Sequence, residues 1–263
     1  NPLILRLQAF IAVFLGVVSG LIFIDTGSYK ASVRARNFSG VLYFYNLSSF
    51  FRAVFGVVNT FNAEKKVFYR DFQAGYYVTA PYFFTKLIVE LPIYFIAPYL
   101  TIIIGYYMIG LDPAFSSYLM ISTLVAFSSM CGVALGLLLG SMFDDFRIVL
   151  AITPVILMPL LLFSGIFVAA NTLPGYLNWI KYVSPIYWGF IGCMQVQFSG
   201  DLDNCDPSSE TCRGPDILKN LGLVDLLPVG VDLVFQATLL LAYIILGYIV
   251  LEGRVRWRFR QSA

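Results

Sequence analysis

Charge is concentrated at Glu64-Lys65-Lys66-Val67-Phe68-Tyr69-Arg70-Asp71, where five of eight residues carry a formal charge and long apolar runs lie on either side. An ionised side chain at the bilayer centre costs about 2.5–3.5 kcal/mol, so this stretch belongs in water, at a membrane surface or against another protein. Three more ionisable residues, Arg52, Lys86 and Glu90, fall inside the apolar runs themselves. Intramembrane charges need partners and mark functional positions. Counted along helices, Arg52 and Glu90 each lie roughly 13 Å from the ends facing the charged stretch, a depth that allows an interhelical ion pair. The competing arrangement is an i,i+4 pair of Lys86 with Glu90, Lys86 snorkelling and Arg52 facing a wet cavity. Cys205 and Cys212 are separated by six residues in an acidic loop and either form a disulfide or remain as two loop thiols. No GxxxxGK[ST] loop, metal-ligand cluster or histidine-based catalytic set occurs, and the chain contains no histidine. It therefore reads as a chain without a catalytic site, a cofactor or a metal of its own.

The elements that would position these residues are membrane spans. The 263 residues are 59% hydrophobic and 12% charged, against about 25% charged in soluble domains. Apolar runs of about 20 residues recur along the chain, which defines an all-α polytopic membrane protein. A net charge of +2 gives no reason to expect nucleic acid as a partner. The first run lacks a small-residue cleavage site, so no cleavable signal is expected. Because the sequence begins at Asn1 rather than methionine, it is expected to be a piece of something longer.

Six spans are expected, at about 7–24, 41–61, 81–108, 118–142, 146–168 and 231–251. A short polar loop covers Asp25 to Ser39. Residues 72–77 suit a short interfacial helix, which makes 64–77 a handle for a partner. Gly16 with Gly20, and Gly132, Gly136 and Gly140 spaced by four, offer helix faces of nearly bare backbone for close packing. Pro92 and Pro98 interrupt the third span, Pro154 and Pro159 the fifth. Prolines free backbone carbonyls, which favours a pathway-lining role for the fifth span. After Ala169 a re-entrant or interfacial helical segment is expected, with Trp179, Tyr182, Tyr187 and Trp188 at headgroup depth, inside an extracellular loop spanning 169–230. Cys131 and Cys193 read as buried or interfacial thiols.

Six spans place both termini on one side. Nine Lys/Arg lie on that face, against three in the first opposite loop and three in the long loop, which makes the termini cytoplasmic. Lys30, Arg34 and Arg36 run against this bias. Asn37-Phe38-Ser39 and Asn46-Leu47-Ser48 match the glycan acceptor pattern, but Asn46 lies within a span and Asn37 close to the bilayer.

Taken in order, Asn1-Pro2, Glu64-Lys65-Lys66-Val67-Phe68, Gly75-Tyr76-Tyr77, Glu90-Leu91-Pro92, Leu162-Phe163-Ser164-Gly165, Leu173-Pro174, Tyr187-Trp188-Gly189-Phe190 and the Cys205/Cys212 pair give the chain a recognisable pattern. It resembles the transmembrane domain of ATP-binding-cassette subfamily G half transporters over nearly its whole length. The resemblance implies an ATP-driven exporter half for amphipathic lipid, sterol or xenobiotic substrates. Its nucleotide-binding domain, with ATP and Mg, would precede Asn1, and a second half would complete a homodimer or heterodimer. Glu64, Lys65, Lys66, Val67, Phe68, Tyr69, Arg70 and Asp71, with the residues to Tyr77, would couple the two domains. By position, the resemblance implies a substrate cavity at Ser48, Phe51, Pro154, Met158 and Leu161 and an extracellular plug at Ile166 and Phe167. Arg52 departs from the small or apolar residues of the family. The expected location is the plasma membrane or an endomembrane. An ATP-independent permease or channel subunit would need more polar residues facing one pore. A membrane scaffold or receptor would need neither the prolines nor the charged handle.

Overall fold

The computed structural model describes residues 2–24, 26, 31–74, 78–167, 176–199, 214–220 and 227–260. Among these the chain is all-helical: α1 (Pro2–Ile22), α2 (Ala31–Gln73), α3 (Thr79–Ile109), α4 (Phe115–Met142), α5 (Phe146–Leu162), α6 (Asn178–Val183), α7 (Pro185–Gln197), α8 (Gly214–Asn220) and α9 (Val229–Arg260). Helices α2, α3, α4 and α9 are long and apolar enough to cross a membrane, and Arg6–Ile22 of α1 and Phe146–Leu162 of α5 are shorter apolar helices. The protein is a multi-pass integral membrane protein.

Helix α4 is the centre of the bundle. Its residues from Tyr118 to Ser141 are mostly buried, and it packs against α2, α3, α7 and α9. The glycine face makes the closest of these contacts possible. A Cβ at Gly132 would lie 2.8 Å from the Phe50 carbonyl oxygen, and one at Gly136 would lie 2.9 Å from that of Val54. The Gly16 and Gly20 face serves internal packing too, against Thr101 and Met108 of α3.

Several expected boundaries differ. Residues 31–39 of the expected loop are helical, and Asn37 lies inside α2. The charged stretch is not a loop, because α2 continues through Glu64–Asp71 to Gln73. No glycine or proline falls between Val57 and Gln73, so nothing stops a helix whose end has left hydrocarbon. At 43 residues its length is roughly 65 Å, about twice a bilayer core. Residues 75–77 of the expected handle lie outside the described residues. Helix α3 runs unbroken through Pro92 and Pro98. Helix α5 runs through Pro154 and Pro159 but ends at Leu162, short of residue 168. There Gly165 adopts φ +96°, a left-handed conformation that favours glycine.

Of the four expected interfacial aromatics, Trp179 and Tyr182 are exposed, whereas Tyr187 and Trp188 are buried. The difference is that α7 lies against α4 and α9. Trp188 stacks on Phe235 with centroids 4.1 Å apart and donates its indole N–H to the Tyr182 carbonyl. Cys131 and Cys193 are buried free thiols. Cys205 and Cys212 lie outside the described residues.

Candidate functional site

The end of the bundle that carries the charged extension of α2 also carries the α4–α5 turn and the arginines of α9. Lys65 is only 2% exposed. Its ammonium donates to the carbonyls of Gly140 at 3.0 Å and Phe143 at 2.9 Å, so it caps the C-terminus of α4. It also lies 3.2 Å from the Asp144 carboxylate. Asp144 accepts from the Tyr69 hydroxyl at 2.9 Å and from Arg258 at 3.1 Å, with Arg254 at 3.7 Å. The Arg258 guanidinium sits over the Tyr69 ring, 4.7 Å from its centroid, and Arg254 donates to the Met142 carbonyl. One carboxylate thus ties α2, the α4–α5 turn and α9 together.

Burial works against ionisation of Asp144, but the Tyr69 hydrogen bond and the Lys65 charge outweigh it and hold this carboxyl below the usual range. A depressed folded-state pKa stabilises the fold above the unfolded value, near 4, and the contribution is lost as pH falls through the lowered one. The stability difference between the wild type and Asp144→Asn, read as thermal unfolding midpoints in detergent, is therefore expected at neutral pH and should close below about pH 4. A gap independent of pH would show that ionised Asp144 contributes nothing.

On the other side of the same extension, Lys86 bridges Glu64 at 2.9 Å and Glu90 at 3.0 Å. Thr60 donates to Glu90 at 2.9 Å. Phe68 stacks on Tyr82 at 4.1 Å. A cavity of about 530 Å³ opens here between α2 and α3, with Glu64, Val67, Asp71, Pro81 and Val89 in its wall. Val67 and Arg70 face outward, Arg70 against Asp71 at 3.3 Å. Lys66 lies on α2, and its side chain is outside the described residues.

Arg52 does not reach Glu90. Thr60 meets Glu90, and the Tyr94 hydroxyl lies against Gly56, so the antiparallel register sets Arg52 two helical turns, roughly 12 Å, beyond Glu90. Equal depth failed as an estimate because it was counted from Phe61 as a span end, whereas the helix runs on to Gln73. Lys86 and Glu90 pair across one turn of α3, and Lys86 turns to Glu64 rather than outward to water.

Ser48 is half-buried, its hydroxyl donating to the Tyr45 carbonyl. Phe51 packs between Phe50 and Phe55. On α5, Pro154 and Met158 are exposed, Met158 by 59%, and Leu161 is half-buried. Ile166 and Phe167 follow the Gly165 turn. Phe167 is 60% exposed and meets the Tyr43 ring edge-on at 5.8 Å. Helices α2 and α5 touch, the Tyr43 hydroxyl reaching the Leu161 carbonyl at 3.5 Å.

Sequence reasoning missed two groupings. It read Asp144 only as part of a tight turn, although a doubled aspartate facing a basic tail is a signal. It also passed over a buried polar network. Gln236 donates to Ser128 at 2.7 Å, Asn46 to the Ile186 carbonyl at 3.2 Å, and Gln195 to Asp232 at 3.1 Å. Lone Asn, Gln and Asp within apolar runs were the clue. Gly189 lies where Asn46, Ser128 and Gln236 meet, leaving no room for a Cβ.

The ABC-2 type transporter profile matches residues 1–198. Over 264 residues the chain is 28% identical to Protein white of Drosophila melanogaster, covering 97% of this chain and 38% of that protein. It is 28% identical over 265 residues to the broad substrate specificity ATP-binding cassette transporter ABCG2 of Bos taurus, covering 95% of the chain and 39% of that protein. It is 26% identical over 278 residues to ABC transporter G family member 1 of Dictyostelium discoideum, covering 100% and 34%. The chain belongs to the ABC-2 type transporter family, as a subfamily G transmembrane domain. It spans less than two-fifths of the length of these relatives.

Proposed function

We propose that the chain is the transmembrane half of an ATP-driven exporter that moves amphipathic lipid, sterol or xenobiotic molecules by alternating access at a dimer interface. The observation that supports this best is the clamp on α2. Its extension beyond the apolar run is held by Asp144 to the α4–α5 turn and α9, so force applied to residues 64–71 reaches three helices at once. The partners would be a nucleotide-binding domain, which binds ATP and Mg, a second half transporter and membrane lipids. The cavity beside Phe68 and Tyr82 would receive part of the nucleotide-binding domain, and the termini would be cytoplasmic.

In this reading exposed Pro154 and Met158 and half-buried Leu161, with Ser48 and Phe51, face the second half across the substrate path. Ile166 and Phe167 close it on the far side. An apolar, aromatic slot loses little on desolvating a flat or amphipathic molecule. In reconstituted full-length protein, Phe51→Ala and the double change of Ile166 and Phe167 to alanine are expected to cut substrate stimulation of ATP hydrolysis by about fivefold or more. Unchanged stimulation and export in both variants would remove the cavity and plug assignments.

A further inference from the structure

We infer that Arg52 forms the centre of an anion subsite at the α1–α2–α3 contact, which selects amphipathic ligands bearing a carboxylate, sulfate or phosphate. The inference rests on the transport reading and adds a substrate class to it. Two guanidinium nitrogens of Arg52, Nε and Nη1, are buried without a hydrogen-bond partner among the described residues. The acidic partner expected of it, Glu90, is engaged by Lys86 and Thr60. A half-buried cation with no counter-charge among the described residues is costly, and planar guanidinium donors match the paired oxygens of an anion.

The surroundings hold one free donor, the Tyr94 hydroxyl, with the Gln8 Oε1 as an unpartnered acceptor behind it. The Tyr94 hydroxyl lies against Gly56, one turn of α2 from Arg52. It accepts the Gln8 amide N–H at 2.8 Å, which leaves its own proton to give. Glycine at 56 is what lets the phenol reach α2, since any Cβ there would collide with it. Arg52 lies twelve positions before Glu64, roughly 18 Å along the helix, which is deeper than a headgroup phosphate at the charged interface. That depth favours the anionic group of a transported molecule over a resident lipid.

The test uses full-length protein in phosphatidylcholine nanodiscs without nucleotide, with pyrenedecanoic acid and its methyl ester as probes and tryptophan-to-pyrene energy transfer as the readout. The wild type should bind the acid about tenfold or more tightly than the ester. Arg52→Gln should bring the acid to the affinity of the ester, Arg52→Lys should keep part of the preference, and Tyr94→Phe should reduce it less than Arg52→Gln does. Adding phosphatidylglycerol assigns the source: weak competition means a transported anion, and strong Arg52-dependent competition means a lipid headgroup in the same subsite. Equal binding of acid and ester by the wild type, or a preference that survives Arg52→Gln, would overturn the proposal. Because no ATP is used, such a failure leaves the exporter reading standing, and selective binding without ATP-driven export would sink only that reading.

Discussion

Lys65→Met is expected to leave ATP hydrolysis running in the full-length protein while export per ATP hydrolysed falls about tenfold. The ammonium serves the Gly140 and Phe143 carbonyls and the Asp144 carboxylate together. Methionine fills the same space but gives them nothing. Breaking a fully buried pair costs about 3–5 kcal/mol, and because Asp144 is partly solvated the loss here is nearer 1–3 kcal/mol. The bundle survives that loss because the α2–α4 seam at Gly132 and Gly136 is untouched. What disappears is the Lys65 attachment of the α2 extension to the end of α4 and to Asp144. ATPase and vesicle uptake measured on one preparation check this, and an unchanged ratio would show that the clamp transmits nothing.

Gly136→Leu is expected to abolish folding. A Cβ at that position already lies 2.9 Å from the Val54 carbonyl and 3.1 Å from the Val57 Cβ, and a leucine carries three further carbons into the same seam. Overpacking typically costs about 1–3 kcal/mol when side chains can shift. Here the obstacle is the backbone of α2, so the two helices must separate and the cost rises above that range. Gly253→Leu is the control, since nothing lies within 4 Å of its Cβ. Size-exclusion profiles and thermal unfolding in detergent should show an aggregated Gly136 variant beside a Gly253 variant that behaves as the wild type. A monodisperse Gly136→Leu protein would mean the seam is looser than its geometry.

Much of the architecture was legible because in a bilayer composition and spacing act over long runs. The four-residue spacing of Gly132, Gly136 and Gly140 predicted a bare helix face, and that face packs on α2. The position of the charged stretch was equally plain, since no other placement satisfies hydration. Its conformation was not, because hydration ends a span without ending a helix. Inter-helix register was hidden for the same reason: depth counted from Phe61 put Arg52 level with Glu90, and α2's true course puts Thr60 there.

The Asp144 clamp joins residues 75 and 114 positions away along the chain, a distance no local pattern bridges. Trp179 and Trp188 illustrate a third limit. The same residue type is exposed on α6 and buried on α7, and only the neighbours of each helix decide which.

The central claim is that this membrane domain is driven by ATP through its charged α2 extension. ATP-dependent uptake of a labelled amphiphile into inside-out vesicles, made from cells producing the full-length protein, tests it most directly. Accumulation above the equilibrium level with ATP, and none with a non-hydrolysable analogue, is the predicted result. Equal uptake with and without ATP would identify a passive permease and contradict the account.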